Sequence, residues 1–197
     1  MHLAEKTISS KTAYKGCIFT VSSDTAELEN GSVAQRDVIH HHGGVGVIPI
    51  NQNNEIYLVK QFRYPFGEIT LEIPAGKLEK DENHAECGRR ELLEETGLTC
   101  KKYSYLGEIY PLPAYDTEII HLYLAEELEL SEQSPDADEF LDIVKMPLDE
   151  AVSLVMNGSV KDSKTQIAIL KAAVISGCIP HEIMKKTCPV GDRSGSE

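Results

Sequence analysis

Three glutamates within one helical turn are the feature that most constrains this chain. Glu91, Glu94 and Glu95 stand at positions i, i+3 and i+4 of a segment rich in Glu, Leu, Ala and Arg. This pattern predicts a helix over residues 83–96 that carries the three carboxylates on one face. Gly97 follows directly, where a glycine typically ends a helix. Like charges placed in this way repel by about 0.2–0.5 kcal/mol per pair unless a positive charge lies between them.

A divalent cation would supply that positive charge. The candidate ligands are carboxylates, with no His or Cys among them, and hard oxygen ligands favour Mg²⁺ or Mn²⁺ over zinc. The alternative is a solvated acidic helix face, since exposed Glu clusters are common on protein surfaces. The three glutamates alone leave both interpretations open.

The composition narrows the class of partner. The 197 residues include 32 acidic and 19 basic side chains, a formal net charge of −13. Broad contact with nucleic acid or an anionic membrane surface needs a basic patch, and no stretch approaches the roughly 20 apolar residues that cross a bilayer. Five cysteines without a Cys-x-x-Cys pair indicate free thiols in a reducing compartment. We therefore expect a cytoplasmic protein that binds neither nucleic acid nor membranes.

The remaining segments predict an α+β fold. Residues 12–42 alternate polar turns with β-prone runs, which predicts an antiparallel N-terminal sheet. Apolar runs at residues 45–50 and 56–62 flank a cluster of Asn and Gln residues, which predicts a β-hairpin. Further strands are expected at residues 69–73, 101–110, 118–125 and 140–146, and helices at residues 148–156 and 163–176. This order favours a mixed sheet with helices on its faces.

The spacing around the glutamates matches a known motif. The matched positions are Gly76, Glu82, Arg90, Glu91, Leu92, Glu94, Glu95, Gly97 and Leu98. Together they coincide with the Nudix box at every constrained position, so the chain resembles the Nudix hydrolases. The resemblance implies a Nudix α/β/α sandwich with a mixed β-sheet, preceded here by the antiparallel sheet.

Within the box, the resemblance implies that Glu91, Glu94 and Glu95 hold metal while Glu82 and Arg90 pair to brace the loop. Such a cluster suits metal-assisted hydrolysis of a diphosphate, in which bound cations lower the pKa of a water and neutralise phosphate oxygens. Glu94 and Glu95 are expected to be the most sensitive to substitution.

Segments on either side of the box resemble the ADP-ribose and nucleoside diphosphate sugar pyrophosphatase branch. They read QFRY at residues 61–64, LEIPAGK at residues 71–77 and DSKT at residues 162–165, with a marker proline at Pro113. The resemblance implies Mg²⁺-dependent hydrolysis, with Mn²⁺ as a substitute, of ADP-ribose or a related nucleoside diphosphate sugar. The products would be a nucleoside monophosphate and a sugar phosphate.

The same resemblance implies roles outside the box. Arg63 would contact the diphosphate, and the Ala75 carbonyl would bind metal. Arg36 and Asp37 match a pair that reaches across a homodimer interface towards the adenine, although an exposed strand residue is an equal interpretation for Arg36. Glu118 is a weaker candidate for a substrate contact.

The resemblance also implies that an acidic loop after the box supplies the general base. Asp136 and Asp138 are the candidates, and Glu139 matches a fourth metal-binding carboxylate. The alternative is a solvated surface loop without a catalytic role.

The resemblance implies three regions: an N-terminal β subdomain for dimerisation (1–42), the Nudix domain (43–183) and a flexible tail (184–197). Gly76 and Gly97 are expected at sharp turns of the backbone, and Pro113 as a structural marker. Two departures from the branch leave other sugars open: His42 stands where relatives have proline, and Ala114 where they have glycine. Rival interpretations are hydrolysis of dinucleoside polyphosphates or oxidised nucleoside triphosphates, and a non-hydrolytic nucleotide sensor.

Overall fold

The computed structural model describes residues 3–131 and 140–178, and this part of the chain forms three sheets and three helices. In chain order the elements are β1 (Lys6–Lys15), β2 (Thr20–Glu27), β3 (Val33–His40), β4 (Gly44–Pro49), β5 (Glu55–Arg63), β6 (Glu68–Glu72), β7 (Ala75–Lys77), α1 (His84–Thr96), β8 (Leu98–Ile109), β9 (Ile120–Leu130), β10 (Leu141–Pro147), α2 (Leu148–Met156) and α3 (Ser163–Ser176).

The three sheets differ in strand order and direction. The first is antiparallel with the order β1-β2-β3, as the sequence predicts, although it begins at residue 6 rather than 12. The central sheet has the order β7-β4-β9-β8, with β4 parallel to β9 and the other pairs antiparallel. The third sheet is antiparallel with the order β10-β5-β6.

Local capping sets the ends of the two longer helices. The Asn83 side chain accepts a hydrogen bond from the Ala85 N–H at 2.8 Å and begins α1. Asp162 caps α3 in the same way through the Thr165 N–H at 2.9 Å. Gly97 and Gly177 end these helices with φ of 66° each, a left-handed conformation that glycine adopts without strain. All three helices lie within one residue of their predicted bounds.

Helices cover both faces of the central sheet, because successive side chains of β4 and β9 point to opposite sides. Val45, Val47 and Tyr123 pack with Cys87 and Leu92 of α1 in one core cluster. The other face carries a second cluster against α2 and α3, whose largest members are Ile48, Ile56, Leu58, Ile73, Leu122, Leu148 and Ile169. The result is a layered arrangement of helix, sheet and helices.

The hairpin predicted for residues 45–50 and 56–62 is wrong. β4 and β5 lie in different sheets, and only an isolated bridge between Ile50 and Ile56 connects them. All six residues of β4 are buried, because both faces are covered and a parallel partner, β9, takes the place of β5. The Asn-rich segment does turn the chain, with the Asn51 N–H donating to the Glu55 carbonyl at 2.9 Å.

The short strand β7 was not predicted either, because Pro74 and Gly76 indicate a break in regular structure. It pairs with β4 over three residues, which places Ala75 and Gly76 at the edge of the central sheet beside α1. In the part of the chain described here, no helix combines the length and apolar character needed to cross a membrane.

Gly88 allows α1 to approach the central sheet closely. A Cβ at this position would overlap the Tyr103 hydroxyl and lie 2.9 Å from Val45 Cγ2. An alanine normally stabilises a helix interior by about 0.8–1.0 kcal/mol relative to glycine. We expect Gly88→Ala to lower the free energy of unfolding by about 1–3 kcal/mol instead, because the added methyl overpacks the core.

Chemical denaturation measures this change, with Glu86→Ala as the matched control, since Glu86 lies on the exposed side of the same helix. A more stable Gly88→Ala variant would show that α1 can be displaced from β4 at no cost.

Candidate active site

Helix α1 places the three glutamates at different depths along the central sheet. Glu95 is 2% exposed and Glu91 7% exposed, whereas the Glu94 side chain is 27% exposed. Carboxylates buried this deeply are costly unless they are paired or hydrogen-bonded. A solvated acidic helix face is therefore excluded for Glu91 and Glu95.

Arg90 supplies the positive charge between the carboxylates. Its Nε and Nη2 donate to Glu82 Oε1 at 3.0 Å and to Glu82 Oε2 at 3.2 Å. Its Nη1 lies 2.8 Å from Glu94 Oε2 and 2.8 Å from Glu91 Oε1. Hydrogen bonds from Arg90 lower the pKa of Glu82 to about 2, and the hydrogen bond to Glu82 is the largest factor that raises the pKa of Arg90. The structure thus brings together the Glu82 and Arg90 pair that the resemblance implies.

The segment after β6 closes over the helix at two points. The Ala75 N–H donates to Glu95 Oε2 at 2.9 Å. A Cβ on Gly76 would overlap the Glu91 carboxylate, so only glycine leaves room for that side chain. Ala75 and Gly76 therefore lie against Glu95 and Glu91, while the metal role of the Ala75 carbonyl stays a prediction.

The donor set fits a hard divalent cation, since it consists of carboxylate and carbonyl oxygens. Within residues 3–131 and 140–178, no three His, Cys, Asp or Glu side chains converge on a point that could hold an ion. The contacts above account for this, because Glu91 and Glu94 face Arg90 while Glu95 faces the Ala75 N–H. Each contact with Arg90 engages one carboxylate oxygen, Oε1 of Glu91 and Oε2 of Glu94.

Arg63, at the end of β5, forms an ion pair with Glu72. Its Nε and Nη2 donate to the two oxygens of Glu72, both at 2.6 Å. The Arg63 side chain remains 38% exposed, while Glu72 is buried. The nearby charges of Asp162 and Glu95 further raise the pKa of Arg63 after the dominant contribution of Glu72.

Glu118 lies beside His41 at the end of the loop before β9. Glu118 Oε1 is 3.5 Å from His41 Nδ1. Burial raises the pKa of Glu118, and the neighbouring Asp116 adds to the shift, although His41 opposes it. Pro113 lies in an exposed turn of the same loop, where the Asp116 N–H donates to the Leu112 carbonyl at 3.0 Å.

Arg36 and Asp37 are exposed residues of β3 and, as neighbours on one strand, point to opposite faces of the first sheet. Arg36 pairs with Glu5, with Nη2 and Oε1 2.7 Å apart. Their predicted role across a dimer interface stays a prediction. Asp136, Asp138 and Glu139 lie outside the described residues.

Cys87 is fully buried in α1, which disfavours a role as a nucleophile. Burial, and then a hydrogen bond with Glu82, raise the pKa of its thiol to about 12, and only the thiolate is reactive.

Comparisons with known proteins identify the family of the chain. A family model described as the NUDIX domain matches residues 40–166. The chain is 40% identical to an ADP-ribose pyrophosphatase of Bacillus subtilis (strain 168) over 85% of this chain and 91% of the relative. The chain belongs to the Nudix family. The recognition of a Nudix pyrophosphatase from the sequence is thereby confirmed.

Other relatives carry different names. A methanol dehydrogenase activator of Bacillus methanolicus is 40% identical over 84% of this chain and 90% of its own length. A GDP-mannose pyrophosphatase of Yersinia enterocolitica serotype O:8 / biotype 1B (strain NCTC 13174 / 8081) is 34% identical over 77% of this chain and 84% of its own length. A crystal structure of an ADP compounds hydrolase superposes with a TM-score of 0.78 at 19% identity, over 89% of this chain and 97% of that one. The last comparison confirms the α+β Nudix fold.

The prediction from the Nudix sequence pattern missed a buried group next to the site. Glu72 received no role, although it is 2% exposed and contacts Arg63. The segment DSKT contains Lys164 and Thr165 but does not indicate that both are buried at the start of α3. No local signal marked Glu72, because Thr70 and Glu72 alternate with apolar residues, and such alternation normally places the polar side chains on the solvent side.

Gly76→Ala tests the fit between the box glycine and Glu91. The added methyl displaces the Glu91 carboxylate, so we expect Mn²⁺ affinity to fall about 10-fold or more, measured by isothermal titration calorimetry. Gly31→Ala is the control, because its φ of 78° makes it strained while a Cβ there meets no atom within 4 Å. It should lower thermal stability without changing Mn²⁺ affinity. Unchanged Mn²⁺ affinity in Gly76→Ala would contradict a metal role for Glu91.

Proposed function

We propose that this Nudix enzyme hydrolyses the diphosphate linkage of ADP-ribose or a related nucleoside diphosphate sugar, giving a nucleoside monophosphate and a sugar phosphate. The observation that carries the proposal is the packing of Glu91 and Glu95 against Ala75 and Gly76, with Arg63 bound to Glu72 in the segment that leads to Ala75. The ADP-ribose and GDP-mannose pyrophosphatases among the relatives support this substrate class.

Mg²⁺ is the proposed cofactor, and Mn²⁺ would substitute for it. Glu91, Glu94, Glu95 and the Ala75 carbonyl would hold it, together with Glu139, which lies outside the described residues. A cation bound there lowers the pKa of a water molecule and neutralises charge on the phosphate oxygens. The hard oxygen donors of α1 support this choice of metal.

The chain's own groups provide the remaining steps. Arg63 would orient the diphosphate, because a planar guanidinium suits two phosphate oxygens. Asp136 or Asp138 would accept the proton of the attacking water. Glu118, whose pKa is raised by burial and by Asp116, would contact the substrate from the opposite loop. Water would attack one phosphorus of the diphosphate, the bridging P–O bond would break, and the other phosphate would leave as a phosphomonoester. Positioning and charge neutralisation carry most of the rate increase in such a displacement.

Glu95→Gln is the sharpest test of the metal role, because glutamine still offers an acceptor to the Ala75 N–H and should preserve the fold. Losing one metal ligand removes several kcal/mol of transition-state stabilisation, so we expect kcat to fall about 100-fold or more. Glu94→Gln should have a similar effect. Glu86→Gln is the matched control on the exposed side of α1 and should retain wild-type turnover. Full Mg²⁺-dependent turnover of Glu95→Gln would contradict the assignment.

A panel of compounds tests the substrate. Each compound is incubated with the pure protein and Mg²⁺, and the released phosphomonoesters are measured. The panel contains ADP-ribose, GDP-mannose, a dinucleoside polyphosphate and an oxidised nucleoside triphosphate, and a chelator should abolish turnover of the preferred compound. Preference for either of the last two would favour the rival hydrolases. No turnover with any of them would favour the sensor.

We further propose a cytoplasmic homodimer in which the N-terminal subdomain, residues 1–42, forms the dimerisation region, followed by the Nudix domain at 43–183 and the tail at 184–197. Every residue of β1 is exposed in the single chain, and apolar side chains of this sheet, including Ile8, Tyr14 and Val33, are more than half exposed. Surface of this kind favours an interface with a second copy.

Light scattering should therefore give twice the mass of the chain.

Arg36→Ala should raise KM for ADP-ribose about 10-fold, because one charge-assisted contact to the substrate is lost. Lys101→Ala is the control, since Lys101 forms a similarly exposed ion pair with Glu129 on the central sheet. A monomeric mass, or equal KM values for the two variants, would contradict the role of Arg36 across an interface.

A further inference from the structure

A buried ion network joins the end of β6 to the start of α3. Glu72 accepts two hydrogen bonds from Arg63 at 2.6 Å each, one from the Thr70 hydroxyl at 2.6 Å and one from Lys164 Nζ. Lys164 also donates to Asp162 Oδ1 at 2.9 Å. Four hydrogen bonds, two of them from a planar guanidinium, leave the Glu72 carboxylate little freedom to rotate.

This network leaves part of Arg63 for another anion. The contact with Glu72 uses Nε and one N–H of Nη2, which are two of the five guanidinium N–H groups. The Arg63 side chain is 38% exposed and the Glu72 side chain only 3%. The buried Glu72 carboxylate thus binds one edge of the guanidinium, while part of the Arg63 side chain stays accessible to solvent.

Lys164 keeps Glu72 in place. The Lys164 side chain is 11% exposed, and its Nζ contacts both Glu72 and Asp162. Burial would raise the pKa of Glu72, but hydrogen bonds from Arg63 and the charge of Lys164 lower it to about 2. Glu72 therefore remains ionised at neutral pH, and an approaching phosphate that attracts Arg63 does not leave the carboxylate without a counter-charge.

The same network fixes the backbone that leads to the metal cluster. Asp162 Oδ2 accepts from the Thr165 hydroxyl at 2.5 Å, and that hydroxyl accepts from the Ile73 N–H at 2.9 Å. Two residues later, the Ala75 N–H donates to Glu95. Residues 72–75 therefore contact both Arg63, through Glu72, and the α1 carboxylate Glu95, through the Ala75 N–H.

We infer that Glu72 is a positioning residue, which fixes the plane of the Arg63 guanidinium for the substrate diphosphate, with Lys164 as the counter-charge that holds Glu72 in place. A buried ion pair contributes little net stability, because desolvation offsets its attraction. We therefore expect the network to fix the orientation of Arg63 rather than to stabilise the fold. The inference rests on the role proposed above for Arg63.

Glu72→Gln tests the inference, because the amide keeps the size of the side chain but cannot accept from both ends of the fork. We expect KM for ADP-ribose to rise about 10- to 100-fold, with a smaller change in kcat. Glu68→Gln is the matched control, since Glu68 lies on the same strand and pairs with Lys161 at 2.7 Å on the surface. It should leave both constants unchanged.

A double-mutant cycle separates positioning from general structural damage. If Glu72 acts through Arg63, Glu72→Gln should weaken binding strongly in the wild type and hardly at all in the Arg63→Ala background. The cycle is measured on KM and, by calorimetry, on the affinity for ADP, so it does not depend on hydrolysis. Equal effects of Glu72→Gln in both backgrounds would overturn the inference.

Two further measurements keep the outcomes distinct. Should Glu72→Gln fail to fold, Thr70→Val removes one hydrogen bond to Glu72 and leaves the ion pairs, and its smaller effect on ADP affinity should likewise vanish in Arg63→Ala. Absence of wild-type turnover on the nucleoside diphosphate sugars counts against the proposed function alone. Additivity in the ADP cycle counts against the positioning role alone.

Discussion

The guanidinium of Arg90 holds together carboxylates that would otherwise repel one another along one turn of α1. It donates to Glu82 from one edge and to Glu94 from the other, and Glu91 contacts it as well. One guanidinium therefore offsets the repulsion among three carboxylates of the box, as a single positive charge placed between like charges does. The loop braced by Glu82 and the helix with the proposed metal ligands are consequently one electrostatic unit.

Residues 72–77 connect that unit to a second group of charges, the one around Glu72. At one end Glu72 binds Arg63 and Lys164, and at the other end the chain passes over Glu91 at Gly76. Between these points two backbone N–H groups donate to buried side chains. The Ile73 N–H donates to Thr165, and the Ala75 N–H donates to Glu95. Buried polar networks that are fully satisfied make a region rigid. Rigidity matters here, because small misplacement of reacting groups lowers rates strongly.

Local signals predicted the helices well and the sheet pairings poorly. Asn83 and Gly97 at the two ends of α1 act through hydrogen bonds within a few residues, so the sequence contains the whole interaction. The hairpin expected around residues 51–54 failed because β4 exchanges its neighbour for β9, which follows about 70 residues later. The strand's unbroken burial was visible in the sequence as an apolar run, but the identity of its partner depends on loop closure and on which faces the helices cover.

For the site, the sequence by itself determined that three carboxylates share one helical face, because residues three and four apart in a helix lie on the same side. Tertiary structure decided which groups face them. It brought Arg63 to Glu72 across adjacent strands, and Lys164 to the same carboxylate from 92 residues away. Such contacts follow from the packing of α3 against the sheets, because a side chain's partner is set by three-dimensional position and by the need to pair a buried charge, neither of which is written in local spacing.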